Sequence, residues 1–257
     1  TASAQDFPSI APTGCSVGTK QGFSIIKYNS GGSSGNYTLP HGMGKTPKFI
    51  IHKQLTSGNW WAYHADAVDD LKKYFKLNST ESLGTNSSNM WGNVFPNDIT
   101  FGINVGQLIG TSIDAITYLW ADVPGLQKFG SFTGNGSENF VSLDFRPAIV
   151  WVKRAVVNSS PDSGSDYSSW TIMDSTRLSY NGLTPNHLFA NKSINEGYRG
   201  NASSTSDLTD MTLEPLSNGF YLNGPGTEVN ANTGTYIYCA WAETPEVNLY
   251  GGQSNAR

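Results

Sequence analysis

The chain has four histidines, His41, His52, His64 and His187, and none stands in an HxH or HExxH spacing. A zinc centre needs a full set of nitrogen, sulfur or oxygen ligands around one ion, so a metal site is not expected from them. His52 lies in a strand-like run beside Phe49 and Ile51 and reads as a structural histidine. Carboxylates cluster at Asp66, Asp69 and Asp70, at Asp162 and Asp166, and at Asp207 and Asp210. Glycoside hydrolysis needs two carboxylates held across a cleft, which spacing alone does not supply. Solvated loop and cap carboxylates are the favoured reading. A calcium loop at Asp162–Asp166 is the runner-up, although the EF-hand ligand spacing is missing. The sequence has neither a P-loop nor a dinucleotide fingerprint. The runs Gly31–Gly35 and Gly134–Gly136 read as hairpin loops. No catalytic residue, metal or cofactor is expected.

Aromatic side chains are the better candidates, and what they offer is binding. Trp91 lies in a polar stretch with Asn89, Asn93 and Asn97, an aromatic plane beside amides that suits a stacked sugar ring. The alternative is a loop tryptophan plugging the end of a sandwich. Trp60 and Trp61 are neighbours on a strand and so point to opposite faces; one is expected inside and the other at a surface or interface. In the second half, Asp162, Asp166, Tyr167, Tyr180 and Tyr198 stand in loops rich in Ser, Asn and Gly. They complete the expected ligand-contact set.

The elements that would position these residues are strands. Charged residues make up 14% of the 257 positions, and the chain has 28 glycines. Ordinary globular chains are about 25% charged. That balance favours short strands joined by turns over long helices. The hydrophobic share of 37%, with 12% aromatic, suffices for a core. A net charge of −4 offers no attraction to nucleic acid or an anionic membrane. No apolar run is long enough to span a bilayer as a helix, and the opening residues carry no signal-peptide pattern. Cys15 and Cys239 fall short of a disulfide framework. Cys239 reads as a buried thiol, with pairing to Cys15 the alternative.

The order of the strands is written twice. Pro47-Lys48-Phe49-Ile50-Ile51-His52-Lys53 returns as Pro147-Ala148-Ile149-Val150-Trp151-Val152-Lys153, and Ile116–Pro124 returns as Ile237–Pro245. Two phrases in the same order mean an internal duplication with an insertion in the second copy. The expected organisation is an N-terminal linker or arm over 1–22, a first β-sandwich over 23–125 and a second, with longer loops, over 126–257. The fold class is all-β, two tandem related sandwiches of jelly-roll-like type with very little helix. Residues 65–73 are the best short-helix candidate. Trp170 is matched to Trp61, and Asn191 to Asn78. Strands carrying Phe49, Ile51, Ile149, Trp151, Trp120 and Trp241 are apolar on both faces. A large side chain is worth about 1.5–3 kcal/mol when buried, so these strands are expected to be covered twice, by their own sandwich and by the other copy or another subunit. That makes a homo-oligomer the expected state.

The assembled phrases GFSIIKY, HGMGKTPKFIIHK, NWWAYH, YFKLN, AITYLWADVPG, KFGSFTGNGS, FRPAIVWVKR, LSNGFYLN, TYIYCAWAETP and SNAR resemble an uncharacterised family of marine bacteriophage proteins of cyanophage type, found in tail fibres and other virion parts. The resemblance covers about residues 22–257. It implies a non-catalytic structural module on the particle surface, extracellular, partnered by other virion proteins and by a host-surface glycan. A homotrimer is implied because fibres are usually built that way. Capsid decoration or a head fibre, a polysaccharide depolymerase, and a free carbohydrate-binding module are the alternatives.

Overall fold

A computed structural model describes residues 9–156, 168–177, 187–193 and 212–245. The described residues form seventeen strands and no helix. The chain divides into two compact units. One holds residues up to 77 together with 83–123, and the other holds 78–82 together with the described residues from 124 onward.

In the first unit, strands β1 (Gly14–Gly18), β2 (Phe23–Asn29), β4 (Phe49–Gln54), β5 (Trp60–His64), β6 (Lys73–Lys76), β7 (Gly84–Thr85) and β9 (Asp114–Trp120) make a sheet of order β1-β2-β9-β4-β5-β6-β7. Strands β3 (Gly35–Pro40) and β8 (Thr100–Val105) pair separately as a second layer. Alternation decides what lies between the layers: Ile26, Tyr28, Ile50, Tyr63, Ala115 and Leu119 from the large sheet share one buried cluster with Leu39, Phe101 and Ile103 from the small one.

The second unit repeats this plan. Strands β10 (Gln127–Thr133), β12 (Pro147–Val156), β13 (Thr171–Asp174), β14 (Leu188–Phe189) and β17 (Thr235–Ala242) form a sheet of order β10-β17-β12-β13-β14. The layer facing it is β11 (Asn139–Ser142), β16 (Gly219–Asn223) and β15 (Thr212–Leu216). Val150, Val152, Tyr236, Tyr238 and Ala240 pack with Val141, Phe220 and Leu222. Every ladder within both units is antiparallel.

The two copies agree residue by residue. Phe49 pairs with Trp120 and Ile51 with Tyr118, as Ile149 pairs with Trp241 and Trp151 with Cys239. Ala121 N donates to Gly22 O and Ala242 N to Leu126 O. Even a strained turn is kept: Ser112 (φ 56°) and Thr233 (φ 63°) each stand two residues before the last main-sheet strand of their unit.

Three expectations change. Residues 14–18, expected within a linker, form an edge strand paired with β2 along its whole length. Residues 65–73 make two separate turns leading into β6, with Val68 N donating to His64 O and Lys73 N to Asp70 O, and not a helix. The partner of Trp170 is Trp60, not Trp61, because Leu77 N donates to Trp60 O where Ala190 N donates to Trp170 O. The same register keeps Asn78 opposite the role of Asn191.

Candidate functional site

Trp91 is not a surface aromatic. It is 1% exposed, packs in the first unit's core at 5.5 Å from Tyr63 in an edge-to-face contact, and its Nε1 donates to Lys73 O at 2.9 Å. Gly92 at φ 69° turns the chain, and the bare Gly102 backbone lies under it: a Cβ on Gly92 would sit 3.1 Å from Gly102 Cα. That turn drives the indole inward, while Asn93 is exposed and Asn89 half-buried. Asn97 Oδ1 serves a turn, accepting from Ile99 N and Thr100 N, and with the indole buried these amides flank no exposed ring. Trp60 and Trp61 do divide as adjacent strand residues must, with Trp60 37% exposed and Trp61 packed on the core beside Tyr74. Asp162, Asp166, Tyr167, Tyr180 and Tyr198 lie outside the described residues.

Of the doubly apolar strand residues, Phe49 and Ile51 are buried, while Trp120, Trp151 and Trp241 are half-buried. Ile149, at the start of β12, is 39% exposed. Their rings cluster on each main sheet, Phe49 with Trp120 at 5.5 Å and Trp151 with Trp241 at 5.7 Å. Cys15 and Cys239 are both free; Cys15 is exposed, and burial pushes the Cys239 thiol up and keeps it protonated.

The concave feature that sequence reading missed is in the first unit, where the β2–β3 loop meets residues 9–13. An open groove of about 370 Å³ is lined by Ser9, Ile10, Ala11, Thr13, Asn29, Ser30, Gly31, Gly32, Ser33 and Tyr37. Its walls are fixed by their own bonds. Ser30 Oγ donates to Gly110 O at 2.7 Å, Asn29 Nδ2 to Asp114 Oδ1 at 2.8 Å and Tyr37 OH to Ser33 O at 3.1 Å. Gly31 N donates to Asn29 Oδ1, and the residue's φ of 73° with open space at its Cβ position leaves that side unobstructed. The result is an uncharged trough that combines hydroxyl and amide groups with Ile10, Ala11 and the half-buried Tyr37 ring, which also packs on the first unit's core; such a mixed surface is suited to a polyhydroxylated ligand. The clue in the sequence was the Gly/Ser run ending at Gly35 with Tyr37 just after it, read there only as a hairpin.

The equivalent loop of the second unit is built differently. Asn230 is fully buried and donates to Ser137 O (2.6 Å) and Gly224 O (2.9 Å), while its Oδ1 accepts from Asn135 N and Asn139 Nδ2. One amide therefore ties the β10–β11 loop down. At the position of Ser30 stands Gly134, whose Cβ would run into the Ala231 carbonyl.

Two buried polar groups complete the picture. In the first unit, His52 Nδ1 lies 3.0 Å from Thr117 Oγ1 and 3.5 Å from Tyr28 OH, and burial lowers its pKa to about 3. In the second, Lys153 is wholly buried, donating to the carbonyls of Ser168 and Ser79, with Nζ 5.6 Å from the Trp170 ring centre. Burial pulls its pKa down to about 7 against the opposing charge of Glu81. Neither group borders the groove. Among the described residues no three of His, Cys, Asp or Glu gather as metal ligands.

Residues 1–245 match the family described as Domain of unknown function (DUF7483). The chain belongs to that family. The DUF7483 match runs through both units. No curated protein and no solved structure matches the chain.

Proposed function

We propose that this DUF7483 chain is a non-catalytic module of a bacteriophage particle, a tail-fibre or surface-appendage piece that binds a host-surface glycan. The observation that carries the reading is the contrast between the copies. Main-sheet register is held position by position, while the same loop borders an open groove in one unit and is locked by Asn230 in the other. A constant scaffold with a divergent loop is the usual way recognition is added to a β-sandwich. The groove's neutral hydroxyl and amide rim with the Tyr37 ring supports a sugar as the ligand class. The resemblance of the strand phrases to phage virion proteins supports the setting. Electron microscopy of particles labelled with an antibody to this chain tests the setting: label on fibres or other appendages is expected. Label spread over the capsid would transfer the chain to capsid decoration, and no particle label would overturn the virion reading.

A further inference from the structure

Strand β1 is the outer strand of a seven-stranded sheet, and its described partner is β2 alone. Gly14, Cys15, Ser16 and Val17 are all exposed. Such an edge presents a row of backbone donors and acceptors, and proteins ordinarily guard it with lysine, proline, a bulge or extreme shortness. The opposite edge of this sheet, β7, is guarded by having two residues. Over Gly14–Gly18 the sequence GCSVG holds no charge and no proline, and its register with β2 runs without a shift. Pro12 and Lys20 stand just beyond its ends.

The strand is also complementary to itself. A two-fold axis perpendicular to the sheet through Ser16 sets Gly14 opposite Gly18 of a second copy and Cys15 opposite Val17, twice over, so that each small apolar side chain meets the other kind on the same face. The surface beside it is apolar too. Val17, 40% exposed, lies against Gly42, where a Cβ would sit 3.3 Å from Val17 Cγ2. Next to Gly42, His41 N donates to the carbonyl of Ile99, which is 46% exposed, and the same loop leaves Phe95 47% exposed.

We propose that β1 is a self-association edge at which a second copy of this chain adds antiparallel, joining the two seven-stranded sheets into one. The contact closes on two copies because a two-fold use consumes both edges. It is small, since five residue pairs with a few apolar neighbours lie at the weak end of interface sizes. It therefore forms at the high local concentrations of an assembled particle more readily than in dilute solution.

Cross-linking tests it. Directly opposed residues of an antiparallel pair have Cα atoms about 4.5–5.5 Å apart, within disulfide reach, whereas Gly14 and its own copy are four residues out of register. In the full chain carrying Cys15→Ser, adding Ser16→Cys is expected to give a covalent dimer under mild oxidation, and adding Gly14→Cys is not. Val17→Lys, an exposed position that leaves the fold intact by circular dichroism, is expected to abolish the dimer mass in sedimentation at high concentration. A monomer at every concentration, a trimer, equal cross-linking of the two cysteine variants, or a dimer unaffected by Val17→Lys would overturn the proposal.

Discussion

Lys153 and His52 each place a titratable group where water does not reach, and each leaves a signature in stability against pH. The Lys153 pKa is lowered to about 7, so between pH 7 and its ordinary value near 10.5 the unfolded chain binds the extra proton. Its contribution must then rise with pH across that window, by at most about 1.4 kcal/mol per unit, and level off below it. Urea midpoints of the wild-type chain and of Lys153→Met at pH 7, 8 and 9 should diverge in that sense; parallel profiles would mean the ammonium is not desolvated. His52 works in the acid range. With its pKa near 3 in the folded chain and 6.5 otherwise, stability falls as pH drops from about 6.5 toward 3. His52→Val places there the residue the second unit has at Val152, and acid titration of the two proteins should show a shallower loss in the variant. The burial of His52 agrees with its reading as a structural histidine, whereas that of Lys153 was not legible from sequence. Lys53 and Lys153 are the same letter in the same phrase, yet Lys53 Nζ donates to Gln54 O and Thr56 O at a hairpin tip and Lys153 is enclosed. What differs is the segment laid over the lysine, and no local pattern encodes that.

At the scale of the strand, alternation and proline placement were enough to find the elements. β2, β4, β5, β9, β12 and β17 all stand where apolar runs bounded by Gly, Asn and Pro put them. The β1 edge strand was missed because its alternation is only Cys15 and Val17 around Ser16, too short a pattern between two glycines to announce a strand; it shows itself by its pairing with β2. Trp91 was misplaced for a related reason. Its neighbour Asn97 is polar because it builds a turn, its Oδ1 accepting from Ile99 N and Thr100 N, and Asn93 is exposed beside the buried ring. Polarity of the flanks is thus uninformative about the indole between them. The informative letters were Gly92 and Gly102, whose missing side chains permit the close approach. Trp91→Ala should cost about 3–5 kcal/mol in denaturant unfolding, as large-to-small core changes do, while leaving glycan binding by the folded fraction unchanged. A variant that keeps its stability but loses binding would return Trp91 to the surface role.

At the scale of the whole chain, the duplication was readable because two phrases repeat in order, and the structure extends that repeat to register, small-sheet pairing and the strained turns at Ser112 and Thr233. The groove was not readable in this way. It joins residues 9–13 to the Asn29–Tyr37 loop, and only the fold brings those stretches together. It also carries the functional proposal, since the β2–β3 loop borders this groove in the first unit while Asn230 ties the equivalent loop down in the second. If the chain is a glycan-binding appendage, the loss of one ring should be enough to show it. The decisive measurement is retention of the purified chain on a panel of bacterial envelope polysaccharides, wild type against Tyr37→Ala, with reducing ends assayed in the same tubes. Binding by the wild type, at least about a tenfold loss in the folded variant as expected for roughly 1.4 kcal/mol of stacking and hydrogen bonding, and no new reducing ends are the predicted results. Equal binding by the two proteins, or release of reducing sugar, would contradict it.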